Sequence, residues 1–327
     1  MPSSMTHTYF TIDVYNSLPK KYTKYISNLE YLKLFAQGSD PLMFYNYLIG
    51  KKATYYKNVQ YILHTSKTQD YFINLINYIN DNNLSKNEQV LSYLYGNICH
   101  YFLDLKTHPF IIYKTGIFQK NNKNTYKYNA RHQEMEYIID MYFIKIKENI
   151  SPQKFPIHNK IFKYNKLNKE LLTTIDYTIE KTYNIKNITT PYIKSIKNMK
   201  NFFRLFNYDK YGIKKNIYST IDNITKDSTI KLKELSYSNN YQEKLDYLNL
   251  EKKQWNNPAN KKETYNYSFI DLYNQAIDLS KVAIIEVSNM LRNKKVNNTK
   301  LKNIFNNLSY TTGKDCNKNL ESKYFEY

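Results

Sequence analysis

Three residues on one four-residue step carry the first chemistry in this chain. His100, Asp104 and His108 lie in "YGNICHYFLDLKTHPF". A helix turns about 100° per residue, so positions i, i+4 and i+8 stay on one slowly drifting face. A second stretch repeats the step with His132, Glu136 and Asp140. Upstream stand His7, Asp40 in "AQGSDP", and His64, which leaves only His158 of the six histidines outside the pattern. Neutral imidazole and carboxylate are ligands that zinc accepts, at about 2.0–2.2 Å. Each piece alone has an ordinary explanation, because a His and a carboxylate four apart on a helix are a common surface pair. A lone buried His is commonly satisfied by a backbone carbonyl. Two such helices, with His and Asp residues upstream, point instead to a multi-metal site. Competing metal motifs fit worse: there is no His-Glu-x-x-His, no adjacent His-Asp doublet, no Glu-x-x-His pair and no Cys ligand.

Helices must position these side chains, and the apolar residues recur mainly at helical spacing. A Ser66…Gln69 capping box opens "SKTQDYFINLINYINDNN". A second box, Ser85…Glu88, opens the helix that carries His100, with Val90, Leu91, Leu94, Ile98, Phe102 and Leu103 on its apolar face. Pro109 is expected to end it. Residues 121–131 read as a polar loop, and a further helix runs from His132 to before Pro152. Beyond 150, helices are expected near 191–206 and at 268–292. The latter starts with a Ser268…Asp271 box and carries Phe269, Leu272, Ile277, Val282, Ile285 and Leu291 as its apolar positions. Signals for β-strands are few. The expected architecture is all-α: a multi-helix bundle around a metal cluster, with a helical C-terminal extension. Residues 1–150 are expected to form the metal-binding core, and 151–327 to pack on it as one domain.

Composition agrees with long helices. Six Gly and eight Pro in 327 residues disfavour a turn-rich β fold, and 36 Tyr with 16 Phe supply much of the core. The formal charge is +20. Residues 1–150 hold 17 Lys and Arg against 11 Asp and Glu, and the remainder 31 against 17, so the excess sits in the second half. Such a field favours anionic partners, among them a phospholipid surface or nucleic acid. No basic block is dense enough to mark a nucleic-acid patch, and a solvated Lys-rich surface accounts for the same residues. Cys99 and Cys316 make no disulfide framework, and Cys99 reads as a small core residue. Neither a basic segment followed by an apolar run nor an apolar stretch near the ~20 residues of a membrane span is present. A cytoplasmic monomer is therefore the expectation, with secretion by a route the sequence does not display as the alternative.

Taken in order, His7, Asp40, His64, the His-x3-Asp-x3-His of 100–108 and the His-x3-Glu of 132–136 resemble the zinc-dependent phospholipase C family. The flanking words "MTHTYF", "FAQGSDP", "LHTSKTQDYF", "LYGNICHYFLDLKTHP" and "RHQEMEYIID" carry the likeness over roughly residues 1–150. The short Asp-x3-His step looks closer to the metal domain of glycosylphosphatidylinositol-specific phospholipase D than to the secreted bacterial phospholipases. The resemblance implies an all-helical fold and two or three Zn2+ ions. It implies that Asp40, His64, His100 and Asp104 hold the first ion, and that His108, His132 and Glu136 hold the second. His7 would hold a third, with Asp104 bridging it to the first, and Asp140 would be an orienting residue or an extra ligand. In the bacterial phospholipases the mature N-terminal residue helps to hold the third metal, whereas this sequence starts "MPSS".

The activity so implied is hydrolysis of a phospholipid or related phosphodiester by a metal-activated water, with Asp40 as ligand or general base. Lys127 and Arg131 are candidates to steer a phosphate, or simply members of a solvated loop. Aromatic residues at 101–113 line an apolar entrance or belong to the core, and Trp255 is a membrane-interface contact or a buried anchor. The runner-up enzyme is a trinuclear-zinc nuclease or nucleotidase. The rival of another class is a non-catalytic, zinc-stabilised protein that binds acidic lipid or nucleic acid.

Overall fold

Thirteen α-helices and one two-stranded hairpin make up the regular structure among the residues described by the computed structural model, which are 4–46, 51–224, 231–238 and 240–326. The chain enters through α1 (Ser4–Ser17), α2 (Lys20–Thr23) and α3 (Leu29–Phe35), then turns at Asp40–Phe44. Helices α4 (Lys51–Thr65) and α5 (Thr68–Asp81) lead into α6 (Glu88–Thr115), the longest helix. After α7 (Arg131–Glu148) come α8 (Ile157–Ile161), α9 (Lys169–Tyr183) and α10 (Thr189–Phe202), and a π-turn at Phe203–Asn207 precedes α11 (Ile213–Ile224). Strands β1 (Trp255–Asn257) and β2 (Asn260–Tyr265) form an antiparallel hairpin with Trp255 opposite Tyr265, and α12 (Phe269–Arg292) and α13 (Asn298–Ile304) close the order. No helix among the described residues is long and apolar enough to cross a membrane.

Every residue of α6 from Val90 to Asp104 is buried. A helix covered on all sides is the centre of a bundle rather than a face of it, and α1, α3, α7 and α12 all pack against this one. Gly96 permits the closest approach: a β-carbon there would stand 2.5 Å from the carbonyl carbon of Phe35. That approach brings the end of α3, and the turn after it, beside His100. The second half of the chain completes the bundle. The Tyr95 hydroxyl meets Ser288 on α12 at 2.7 Å, and the Tyr101 hydroxyl donates to the carbonyl of Asn306 at 2.9 Å. Cys99 and Trp255 are buried, as are Tyr101, Phe102 and Phe110, so these aromatics belong to the core rather than to an entrance.

Four local expectations are corrected. Helix α6 continues through Pro109 to Thr115, because Phe110, Ile111 and Ile112 beyond it are all buried; packing outweighs the lost backbone bond. The Ser85…Glu88 box is absent. Asn87 caps α6 by accepting from Gln89 and Val90, and Glu88 instead accepts from the Ser27 and Asn28 amides. The Ser66…Gln69 box is absent too, since the Ser66 hydroxyl donates to the Ile62 carbonyl. The Ser268…Asp271 box does form, but Val282 on that helix faces solvent, while Ala283, Ile284 and Val287 face the core.

Candidate metal centre

Five elements deliver the nitrogen and oxygen atoms of the centre. Helix α1 brings His7, the turn after α3 brings Asp40, the end of α4 brings His64, and α6 brings His100, Asp104 and His108. Helix α7 adds His132 and Glu136 from its first two turns. The side chains fall into three adjoining groups: Asp40, His64 and His100; His7, His100 and Asp104; His108, His132 and Glu136.

Around the first group the spacings are close to those of a single coordination shell. His64 Nε2 lies 3.1 Å from His100 Nε2, 3.3 Å from Asp40 Oδ1 and 3.5 Å from Asp104 Oδ2. His100 Nε2 lies 3.4 Å from the same Asp104 oxygen and 3.7 Å from Asp40 Oδ1. Ligands of a tetrahedral zinc ion with bonds of about 2.1 Å stand roughly 3.4 Å apart. Asp104 turns its other oxygen, Oδ1, toward His7 Nε2 at 3.4 Å, so one carboxylate spans two groups. In the third group His108 Nε2 and His132 Nε2 are 3.4 Å apart, and His132 Nε2 is 2.9 Å from Glu136 Oε1.

Tautomers are fixed from behind. His100 Nδ1 donates to the Ala36 carbonyl and His64 Nδ1 to the Gln60 carbonyl, each at 3.0 Å. A neutral ring that donates from Nδ1 keeps a lone pair on Nε2. Both Nε2 atoms therefore present lone pairs to each other and to two carboxylates. Acceptors so placed call for a positive charge between them, which a proton on His64 or a bound metal ion supplies. Both ring nitrogens of His7 and both oxygens of Asp104 are buried without a hydrogen bond, the condition a bound metal would satisfy. The donor set, nitrogen and carboxylate oxygen without sulfur, fits zinc.

Electrostatics agree. Burial lowers the affinity of His64 for a proton, but Asp104 and Asp40 outweigh it and raise the pKa to about 9. His100, buried and stacked on His7 at 4.2 Å, is lowered to about 4. Asp40 and Asp104 stay below the ordinary carboxylate range despite burial, held there chiefly by His100 and His64.

Asp140 does not enter these groups. Its Oδ1 accepts from the Thr6 amide at 2.7 Å and the Thr6 hydroxyl at 2.6 Å, and its Oδ2 accepts from the Met5 amide at 3.1 Å and the Tyr237 hydroxyl at 2.6 Å. It is an anchor for the first turn of α1, and it sets where His7 stands. Residues 1–3, where a terminal ligand would be sought, lie outside the described residues. His158 sits apart on α8 against Tyr208. Neither Lys127 nor Arg131 is among the described residues that line the adjoining cleft.

Several contributors were missed by the residue pattern. Gly38, at φ +52°, leaves room for the His100 ring, which a β-carbon there would meet at 2.5 Å. Gln60 donates to Asp40 Oδ1 at 3.1 Å; it stands four residues before His64, so the same step could have found it. Tyr310, from the far end of the chain, donates its amide to the His64 carbonyl and packs its ring 4.6 Å from the imidazole.

The third group opens on a cleft of about 720 Å³. Asp40, His108, His132 and Glu136 reach into it, and its walls are largely apolar: Phe44, Phe118, Met199, Phe202, Phe206 and Leu232. Lys57 is the one cation among the described lining residues.

No curated protein and no solved structure matches the chain. The sequence model of one known family, zinc dependent phospholipase C, matches residues 6–187, a span that takes in every residue of the three groups. The chain belongs to the zinc-dependent phospholipase C family.

Proposed function

We propose that the protein is a zinc-dependent phosphodiester hydrolase that cleaves a glycerophospholipid on the glycerol side of phosphorus. The observation that carries this reading is the cleft, in which carboxylates and imidazoles meet walls of aromatic and aliphatic side chains. An amphipathic substrate matches both: a phosphate for the polar end and glycerol-linked chains for the apolar one. Phe44 and Phe202 meet edge-on at 5.1 Å, and Phe202 and Phe206 at 4.7 Å, which makes that wall continuous. A nucleic-acid substrate is served less well, because a single lysine lines the cleft among the described residues.

Under this reading Asp40, His64, His100 and Asp104 hold one zinc, and His108, His132 and Glu136 hold another. His7 and Asp104 take part in a third position. Zinc held by these residues would supply Lewis-acid charge toward the phosphate and lower the pKa of a water toward neutral. Asp40 is the carboxylate of the buried group that also faces the cleft, and it is held ionised. It is placed to take the proton of the attacking water. The water oxygen ends on phosphorus, the bond from phosphorus to the glycerol oxygen breaks, and that oxygen takes a proton. The products are diacylglycerol and a phosphorylated headgroup.

The test is to incubate protein purified without chelator with phosphatidylcholine micelles and, separately, with single-stranded DNA. Release of diacylglycerol and phosphocholine is the expected result. Cleavage of DNA without lipid turnover would replace this reading with the nuclease. Zinc-loaded protein that cleaves neither would leave the non-catalytic, zinc-stabilised reading in its place.

A further inference from the structure

Helix α11 is built the wrong way round for a soluble bundle. Ile213, Ile217, Ile221 and Ile224 recur at spacings of four, four and three, a single stripe on one face. That stripe points outward: Ile213 is 57% exposed, Ile217 51% and Ile224 78%, beside Leu205 at 52% and Tyr211 at 74%. The buried residue of this helix is Asp222, whose carboxylate accepts from the Leu232 and Lys233 amides at 2.8 and 2.9 Å. At its other end Lys214 Nζ donates to the carbonyls of Leu205 and Tyr208, each at 2.8 Å. Polar bonds therefore hold the helix with its isoleucines outward.

The surroundings select the partner. Arg204, Lys210 and Lys233 are exposed in the segments that border the stripe, with Lys233 lying 3.7 Å from Glu234, whereas Asp209 and Asp222 are buried and occupied in backbone bonds. An apolar stripe flanked by exposed cations matches a bilayer bearing anionic lipid, since the isoleucines enter the acyl boundary while the cations meet phosphates. The patch is also continuous with the cleft. Phe206 and Leu232 line the cleft, next in sequence to exposed Leu205 and Lys233, and Phe206 packs against Tyr218 of α11.

We infer that the isoleucine face of α11, with Leu205 and Tyr211, docks the protein on an anionic phospholipid surface and sets the cleft mouth against it. This inference rests on the cleft being the lipid-substrate site. An exposed patch of this kind marks an interaction surface, and here the bilayer that bears the substrate is the occupant.

The test uses the full chain and vesicles of phosphatidylcholine with phosphatidylserine. Wild type is expected to sediment with the vesicles, and the double variant Ile217→Glu/Ile224→Glu to bind about tenfold more weakly or worse. Ile224→Glu alone gives the same direction should the double variant unfold. Val282→Glu, an exposed apolar position on α12 (58%), serves as the control and is expected to bind as wild type. Wild type that stays in solution, isoleucine variants that bind as wild type, or an equal loss in the Val282 control would each overturn the docking surface. Hydrolysis of bis(p-nitrophenyl) phosphate, a soluble diester that needs no surface, reads the catalytic assignment separately. The isoleucine variants are expected to cleave it at the wild-type rate. Vesicle binding lost with the soluble rate kept supports docking. Vesicle binding by a protein that cleaves neither soluble diester nor lipid overturns the hydrolase reading and leaves the surface standing.

Discussion

A single glycine decides where the His100 ring can lie. Position 38 has φ +52°, and a β-carbon there would stand 2.5 Å from the imidazole. Gly38→Ala must therefore strain the backbone and displace a ring whose other side is fixed by the Ala36 carbonyl. Zinc affinity is expected to fall about 10–100-fold, measured by competition with a chromogenic chelator; unchanged affinity would show that His100 is not a ligand. His64 carries the pH dependence. Burial works to lower its pKa, yet Asp104 and Asp40 raise it to about 9, so at pH 7 the metal-free ring holds a proton. In that form the shift stabilises the fold fully below the ordinary imidazole range near pH 6.5, and the contribution is lost as pH rises through about 9. Zinc takes the neutral ring, so binding at pH 7 should release about one proton from this residue and none well above pH 9. Titration calorimetry in buffers of different ionisation heat measures that release, and its absence at pH 7 would contradict the assignment of His64. Residue types and the four-residue step brought His7, Asp40, His64, His100, Asp104, His108, His132 and Glu136 to notice. The glycine and the carbonyl partners stayed hidden, because neither has a chemical type that spacing can single out.

At the scale of elements, α6 and α7 were legible from apolar periodicity, whereas α1 and α4, which carry His7 and His64, were not singled out. The ends expected for α6 did not hold. Asn87 rather than Ser85 caps α6, and Pro109 sits inside it, because contacts made by other parts of the chain override local preference. Asp140 makes the same point. It shares the step of His132 and Glu136, yet it bonds to Thr6, Met5 and Tyr237 and so fixes the helix that presents His7. Tyr237→Phe removes one donor from a buried carboxylate and should cost about 1–3 kcal/mol in urea unfolding. Zinc should be lost first from the position that His7 serves, with the His108, His132 and Glu136 group retained. A variant as stable as wild type would remove Asp140 from the positioning of α1.

Across the whole molecule, the first half supplies the converging imidazoles and carboxylates and the second half builds their surroundings. Met199, Phe202, Phe206 and Leu232 wall the cleft, Tyr310 covers His64, and Tyr192 donates to the Gly38 carbonyl at 2.7 Å. The sequence of residues 151–327 carried none of this, since a wall needs only apolar residues at the right place in space, and many arrangements of Phe and Leu look alike along a chain. The excess positive charge was legible, but the outward face of the isoleucine stripe on α11 required the fold. All of these assignments turn on whether converging nitrogen and carboxylate atoms hold zinc. Elemental analysis of the full chain, purified without chelator and dialysed against metal-free buffer, tests that directly. The three groups predict about two to three zinc ions per chain; less than about one, in a protein that is folded by circular dichroism, would contradict the zinc centre and the hydrolysis built on it.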